Sequence, residues 1–229
     1  AQRLTETLQN RLDKTKISLS SHWSALPSLT ATSKAAVTPV NHLLTGLDEN
    51  EDFVPVIKET GQSFTSHHFK KSLKQEGWQY LSDLETGDVE GKAWLQTGDI
   101  DKTGHKEQVK LPTRIDSILE DIVSRVSGLI EAGWLNIRIV TDHGWLWVPD
   151  TLPKAEISKD LTRSRLVRCA ILKDNASTEH MKAHWHWNPN VTIAMAPDIC
   201  GFTAGLHYDH GGVSLQECLT PVLNISVVN

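Results

Sequence analysis

The sequence predicts an α/β fold in which helices flank a sheet and a β-rich cap is inserted near the C-terminal third. Residues 113–133 place apolar side chains with the 3.6-residue period of a helix, and a short apolar strand follows from residue 134. Asp142, His143 and Gly144 come directly after that strand. Catalytic groups and ligands gather at the ends of strands in α/β sheets, so this edge is where a functional site is expected.

The sequence patterns before the long helix are weaker signals of secondary structure. "AQRLTETLQNRL" at 1–12 is apolar at positions 1, 4, 8 and 12, which is a helical stripe already under way and suggests a chain cut from a longer protein. "TKISLSS" at 15–21 predicts a strand, and "ALPSLTATSKAAVTPV" at 25–40 predicts a loop that runs into a helix of small residues. Residues 45–65 are acidic and irregular, and a helix is predicted around 67–76.

The later elements follow from similar patterns. In the long helix, Thr113 and Asp116 resemble a capping box, and Gly133 is a stop signal. Within 151–206, residues 163–173 and 190–197 predict strands of the cap insertion. A Gly-rich turn, a helical stretch and a last strand at 222–228 close the chain.

Composition limits the classes of function. The 229 residues can bury one hydrophobic core, and the formal net charge of −5 provides no overall positive field for nucleic acid or membrane. No apolar run reaches the roughly 18–20 residues of a membrane span, so no membrane association is predicted. Cys169, Cys200 and Cys218 are odd in number and form no C-x-x-C. They predict a reducing compartment, the cytoplasm, and argue against a disulfide framework or a zinc–thiolate site.

Three polar clusters carry the candidate chemistry: Asp101 with His105, Asp142 with His143, and His210 in "YDHGG". Each lies at the end of an element or in a turn that contains glycine. Carboxylate and imidazole together suit zinc, manganese or iron better than calcium or magnesium. Two such ions roughly 3.5–4 Å apart would hold the oxygens of a phosphoryl group during an in-line displacement, for which "LPSLTAT" offers the hydroxyl of Thr30 as a nucleophile.

These residues carry a resemblance. "PSLTA", D-x-x-G-H, "TDHG" and a late "HGG" occur in the same order in the alkaline phosphatase superfamily, and here they span residues 27 to 222. The ending "HYDHGGVSLQECLTPVL" looks more specifically like the PglZ family of BREX bacteriophage-exclusion systems. The resemblance implies an alkaline-phosphatase-like sheet over residues 1–229, with 151–206 as the cap insertion.

The resemblance also implies a role for each residue. One metal ion, zinc or else manganese, would be held by Asp101, His105 and His210. A second ion would be held by Asp142, His143 and the hydroxyl of Thr30. Thr30 would attack phosphorus and form a phosphothreonine that is then hydrolysed.

One departure concerns the second metal ion. The family places a further metal-binding aspartate at the end of a first strand, before its first helix, whereas this sequence starts within that helix. The chain is therefore expected to be an N-terminally truncated, partial domain. Without that carboxylate the second ion would bind weakly and this form of the protein could be inactive, so activity is expected of the full-length protein.

Several alternatives stay open. Thr32 and Ser33 compete with Thr30 as nucleophile, and His207 and Asp209 compete with His210 as ligand. His184 and His186 of "HWHW" could bind metal from one face of a strand, although an aromatic-faced strand is the simpler interpretation. A basic group could meet polynucleotide phosphates or be a solvated face; its members are Lys159, Arg163, Arg165, Arg168 and Lys173.

Taken with the resemblance, the residues predict a metal-dependent phosphodiesterase or phosphatase that works with other BREX defence proteins on DNA or nucleotide phosphoesters. The principal alternative is a phosphatase-like scaffold that binds other defence proteins without essential catalysis. Mutase-type phosphotransfer would use the same ligands and differ in substrate.

Overall fold

The structure is a computed structural model that describes residues 1–82 and 84–228. Its α-helices are α1 (Gln2–Arg11), α2 (Thr30–Val37), α3 (Ser66–Gln75), α4 (Ile100–Glu107), α5 (Ile115–Glu131) and α6 (Leu215–Cys218). Its strands are β1 (Thr15–Trp23), β2 (Leu44–Thr45), β3 (Val56–Ile57), β4 (Trp78–Leu81), β5 (Lys92–Leu95), β6 (Asn136–Val140), β7 (Leu146–Trp147), β8 (Thr162–Arg165), β9 (Cys169–Leu172), β10 (Lys182–Trp185), β11 (Asn188–Met195), β12 (Tyr208–Asp209) and β13 (Leu219–Val227).

The sheet that positions the site has three strands in the order β1–β13–β6. β13 runs antiparallel to both neighbours, so β1 and β6 run in the same direction. Their C-terminal ends therefore lie at one edge of the sheet, together with the N-terminal end of β13. Three separate segments of the chain meet at this edge.

Helices α1 and α5 cover one face of this sheet. Leu4 and Leu8 of α1 and Val123 of α5 pack with Leu223 and Ile225 of β13 in one buried cluster. This packing confirms the long helix that the 3.6-residue apolar period predicts. The apolar strand predicted from residue 134 is β6; Ile137 and Ile139 pack on the core, whereas the alternate side chains are exposed or half-exposed.

Two local predictions in this region have different outcomes. The capping box is wrong: α5 begins at Ile115 after Arg114, without a side-chain cap. The Thr113 hydroxyl instead donates to the carbonyl of Lys110, because the preceding residues already form a 3-10 turn. Gly133 ends the helix with a left-handed φ of 112°, which glycine adopts without a steric penalty.

A second sheet lies within residues 162–195, with strand order β10–β11–β9–β8 and antiparallel pairing throughout. The strands expected at 163–173 and 190–197 fall in it, although the first is divided into β8 and β9. One face of this sheet packs on Phe53, Leu29 and Ala31, so its core is shared with the segment around Thr30. This sheet is thus continuous with the segment around Thr30.

The remaining layer consists of α3 and the parallel pair β4–β5. Leu73 and Phe69 of α3 are buried, and Phe69 contacts the rings of Tyr80 and Trp94 edge-to-face. The helix expected around 67–76 is therefore present. It lies beside α2 and borders the cleft that opens at Thr30.

Candidate active site

Three loops converge at the strand-end edge of the β1–β13–β6 sheet. The segment after β1 carries Thr30, the segment after β6 carries Asp142 and His143, and the segment before β13 carries His210. Helix α4 approaches from outside the sheet and adds Asp101 and His105. All six residues that the sequence singled out are linked by short side-chain distances, given below.

Asp101 and His105 lie on a helix, whereas the sequence suggested a turn or the end of an element. Four residues are about one helical turn, so both side chains share one face of α4. Gly104, between them, is buried, and a Cβ at that position would overlap the ring of Tyr208. The glycine thus allows α4 to approach the strand that leads into His210.

Asp101, His105 and His210 form a tight set of three ligand atoms. His210 Nε2 lies 3.1 Å from Asp101 Oδ1, and His105 Nε2 lies 3.4 Å from that same oxygen. The two Nε2 atoms are 3.0 Å apart. Ligands at about 2.0–2.1 Å from a tetrahedral zinc would be about 3.3 Å from one another, so these three atoms fit around one such ion.

A carbonyl oxygen fixes the tautomer of His210. The Nδ1–H group donates to the carbonyl of Ser28 at 3.0 Å, because that oxygen can only accept. Nε2 therefore turns towards Asp101 and His105. Imidazoles that bind metals commonly donate their other N–H to a carbonyl in this way.

His143 and Thr30 form a second group next to the first. The imidazoles of His143 and His210 are stacked, with ring centroids 4.0 Å apart. His143 Nδ1 donates to the carbonyl of Gly144 at 2.9 Å, and Nε2 lies 2.9 Å from Thr30 Oγ1. Asp142 Oδ2 is 3.7 Å from the same Nε2. Asp101 connects the groups, because its Oδ2 accepts from the Thr30 hydroxyl at 3.3 Å.

The electrostatics of the cluster favour a cation beside Asp101. Burial alone would raise the pKa of Asp101, but hydrogen bonds from His105 and His210 outweigh it and hold the pKa far below its ordinary value. Burial lowers the pKa of His143, which keeps that imidazole neutral at neutral pH. For His210 the attraction of Asp101 overcomes burial, so its pKa is raised. The same attraction would act on a divalent ion.

Tyr208 supports the carboxylate of Asp101. Its hydroxyl donates to Asp101 Oδ1 at 2.9 Å, and its ring is fully buried. Burial and the charge of Asp101 raise the pKa of Tyr208, so the group stays a donor. Tyr208 belongs to the closing motif "HYDHGG", but the motif alone does not indicate this role.

Ser28 joins two of the sequence motifs. Its hydroxyl donates to the carbonyl of Gly212 at 2.7 Å and accepts from the N–H of Gly211 at 3.2 Å. Its own carbonyl holds His210, as described above. The serine of "PSLTA" thus fastens the "HGG" turn against the loop that ends in Thr30.

A buried ion pair supports the same turn from behind. Arg168 donates to Glu217 at 3.0 and 2.9 Å, and the two side chains are 1% and 0% exposed. The carboxylate of Glu217 also accepts from the N–H of Gly212 at 2.8 Å and from the Ser214 hydroxyl at 2.7 Å. Arg168 further donates to the carbonyls of Asp198 and Cys200.

The tip of the β10–β11 hairpin holds the first turn of α2. The indole N–H of Trp185 donates to Thr32 Oγ1 at 2.9 Å, and that of Trp187 donates to the Thr32 carbonyl at 3.1 Å. The backbone N–H of His186 donates to the carbonyl of Leu26 at 2.8 Å. Three hydrogen bonds therefore fix the segment on both sides of Thr30.

The rival site residues are engaged elsewhere. Thr32 and Ser33 are fully buried, and their hydroxyls donate to the carbonyls of Phe53 and Ala25. His207 has its Nδ1 at the carbonyl of Val148, and buried Asp209 accepts from the backbone N–H of His210. Thr30 is the hydroxyl that faces Asp101 and His143.

Two surface interpretations need correction. His184 lies in β10 while His186 lies in the turn after it, because the strand ends at Trp185, so they do not share a strand face. Arg168 is not part of an exposed basic group, since it is buried against Glu217. The aromatic residues of "HWHW" instead pack inward on α2.

The close approach of α4 gives a test of the site's geometry. Gly104→Ala should destabilise the protein by about 1–3 kcal/mol and weaken metal binding, since α4 would have to move away from Tyr208 and carry Asp101 and His105 with it. Urea unfolding and zinc titration measure the two effects.

Gly128→Ala is the matched control, because that glycine also lies within a helix and a Cβ there meets nothing within 4 Å. It should stabilise the protein by up to about 1 kcal/mol through helix propensity. Equal effects of the two substitutions would contradict the tight contact at Tyr208.

The chain is similar to one known protein family over most of its length. The family model described as the BREX system PglZ alkaline phosphatase-like domain matches residues 1–225. No curated protein matches the chain. Among the residues that the structure describes, no helix combines the length and the apolar character needed to cross a membrane.

Proposed function

The chain belongs to the PglZ family of BREX alkaline phosphatase-like domains, and we propose that it is a metal-dependent phosphohydrolase, a phosphodiesterase or phosphatase, of bacteriophage defence. The observation that carries the proposal is the convergence of Thr30, Asp101 and His143 with the His105–His210 pair. Thr30 Oγ1 lies 2.9 Å from His143 Nε2 and 3.3 Å from Asp101 Oδ2. A hydroxyl placed among ligand atoms in this way is the arrangement expected of a nucleophile.

The donor set fits divalent metal ions. We assign Asp101, His105 and His210 to one ion and Asp142, His143 and Thr30 to another, with zinc preferred and manganese as the alternative. Nitrogen and carboxylate donors without thiolate suit both metals. When bound, such ions neutralise charge on phosphoryl oxygens and favour ionisation of a neighbouring hydroxyl.

The residues of the chain then have distinct tasks. After its proton passes to solvent, Thr30 Oγ forms a bond to phosphorus while the bond to the leaving oxygen breaks; that oxygen departs with the electron pair and takes a proton from water. Water then forms a bond to phosphorus, the bond from phosphorus to Thr30 Oγ breaks, and Thr30 regains its proton. Thr30 is the first residue of α2, so the positive end of the helix dipole faces the phosphoryl group. Asp101 and His143 hold the Thr30 hydroxyl in position before the attack.

Phosphodiesters of DNA or nucleotides are the substrates that we propose, with other BREX proteins as partners and the cytoplasm as the compartment. The three cysteines are free thiols, as expected of a reducing compartment. The pKa of the Cys218 thiol is raised to about 11 by burial, so this group does not compete as a nucleophile at neutral pH.

A second candidate function is a scaffold for other defence proteins. Trp23 and Leu219 are paired across β1 and β13 at the sheet edge and are 66% and 45% exposed. An exposed apolar pair of this size suits a protein contact. In this case Trp23→Ser would abolish partner binding while phosphoester turnover stays unchanged.

Metal dependence is the decisive measurement. The full-length protein, stripped with a chelator, should hydrolyse bis-nitrophenyl phosphate at least about a hundredfold more slowly, and added zinc or manganese should restore the rate. His105→Ala should weaken metal binding, measured by calorimetry, because one ligand is lost. His184→Ala is the control, since His184 is an exposed histidine of the other sheet. Turnover that is indifferent to chelator would contradict the proposal.

A further inference from the structure

A groove leads away from Thr30 between α2 and α3. Its inner part is a cleft of about 180 Å³ whose walls include Thr30, Lys34, Lys70 and Tyr80. Lys70 and Tyr80 also line an adjoining open cavity of about 740 Å³. Together the two form one path, here called the basic groove, that begins at the proposed nucleophile.

Positive charge is concentrated along the basic groove although the chain as a whole is acidic. Lys34 and Lys70 line the inner cleft, and Lys70 and Lys74 line the outer cavity. Among the described residues, none of these three lysines forms a salt bridge with a carboxylate. Of the residues that the structure describes, none with an acidic side chain lines the inner cleft, and Glu85 lines the outer cavity, where its carboxylate accepts from the N–H of Ser82. Such a local field attracts a polyanion.

Aromatic rings lie beside Lys70 of the groove and beside Lys92, which is outside its lining. Lys70 Nζ lies 4.4 Å from the centroid of the Tyr80 ring, and Lys92 Nζ lies 5.1 Å from that of Trp78. Tyr80 and Trp78 both line the outer cavity. Grooves that combine cations for the backbone with aromatic faces for the bases bind single-stranded nucleic acid with little sequence preference.

We propose that the basic groove binds a single-stranded polynucleotide and leads one of its phosphodiesters to Thr30. Lys34 and Lys70 would contact phosphates next to the reacting one, and Tyr80 and Trp78 would stack on bases farther along the strand. A duplex keeps its bases paired and cannot offer them to these rings. The inference rests on the proposed function only for the role of Thr30; binding to the groove stands on its own contacts.

Fluorescence anisotropy with short labelled oligonucleotides tests the binding. The background carries Thr30→Ala and the buffer contains chelator, so that neither cleavage nor metal contributes. Single-stranded DNA and RNA are compared with duplex DNA of the same sequence. Both single strands should bind more tightly than the duplex, and the logarithmic salt dependence should weaken by about 0.7 for each phosphate contact removed.

Matched variants locate the site. Lys70→Ala should loosen binding and reduce the salt slope, whereas Lys71→Ala should not, because Lys71 is exposed on the same helix but lines neither cavity. Tyr80→Leu should weaken binding at least about fivefold through lost stacking. Equal effects of the two lysine variants, duplex binding as tight as single-strand binding, or no binding at low salt would each overturn the inference.

Failure of the groove and failure of the catalytic proposal are separable. If oligonucleotides bind but no phosphodiester is hydrolysed with metal present, the catalytic proposal fails and the groove remains. If bis-nitrophenyl phosphate is hydrolysed but oligonucleotides do not bind, the groove is wrong and the catalytic proposal remains.

Discussion

Thr30→Ala in the full-length protein is expected to lower kcat for phosphodiester hydrolysis by about three orders of magnitude or more, the scale found when a nucleophile is removed from a catalytic group that acts as a unit. The variant keeps Asp101, His105 and His210, so it should still bind one metal ion with near-normal affinity. Activity with bis-nitrophenyl phosphate and metal content measured on the same sample separate the loss of the nucleophile from the loss of a ligand set.

Two further variants control this result. Thr30→Ser keeps the hydroxyl and should retain most of the turnover. Ser33→Ala removes a buried hydroxyl that donates to the Ala25 carbonyl, so it should affect stability and leave the chemical step intact. Metal-dependent turnover that survives Thr30→Ala would remove Thr30 from the nucleophile role.

Glu217→Gln should cost about 3–5 kcal/mol of the free energy of unfolding at neutral pH, because it leaves the buried guanidinium of Arg168 without a counter-charge. The carboxylate also holds Gly212 and Ser214, so the turn that carries His210 loses its support. Urea unfolding measures the loss, and weaker metal binding should accompany it.

The pH dependence has a definite sign. Burial would raise the pKa of Glu217, but the hydrogen bond and charge of Arg168 dominate and the pKa is lowered. The stabilisation is thus fully present above the ordinary glutamate pKa of about 4.3 and is lost as pH falls through the lower pKa of the folded state. The difference between wild type and Glu217→Gln should shrink in that acidic range.

Glu156→Gln is the control, since Glu156 pairs with Lys154 at the exposed surface. Solvent and salt screen such pairs, so stability should change little. If both glutamate variants behaved alike, the stabilising role of the Arg168–Glu217 pair would be refuted.

Sequence patterns predicted the elements that have a strong period. The helix at 115–131 and the strands next to it follow from apolar spacing, since one face of each packs on the core. Helix α4 was missed because Gly104 is its only buried residue, so no apolar stripe marks it. Its signal was the four-residue spacing of Asp101 and His105, which reads equally well as a polar loop.

The residues of the site likewise differ in whether the sequence could predict them. The candidate nucleophile and ligand residues could be found because each stands in a short motif. In addition, strand ends on one side of a sheet meet in space. The residues that hold the candidate ligands in position could not be found in this way. Arg168 was grouped with exposed basic residues because its partner Glu217 is 49 positions away. Ser28 and Tyr208 likewise act through contacts that no local pattern contains.

The hairpin that bonds to Leu26 and Thr32 has a consequence for how substrate reaches Thr30. This hairpin is fastened by two indoles to the helix that carries Thr30, so it cannot swing open as a lid without displacing the Thr30 hydroxyl. Substrate is therefore expected to enter, and product to leave, from the side of α3, while the hairpin stays in place. Loss of the hydrogen bonds from this hairpin would release Thr30 from the position in which the proposed reaction needs it.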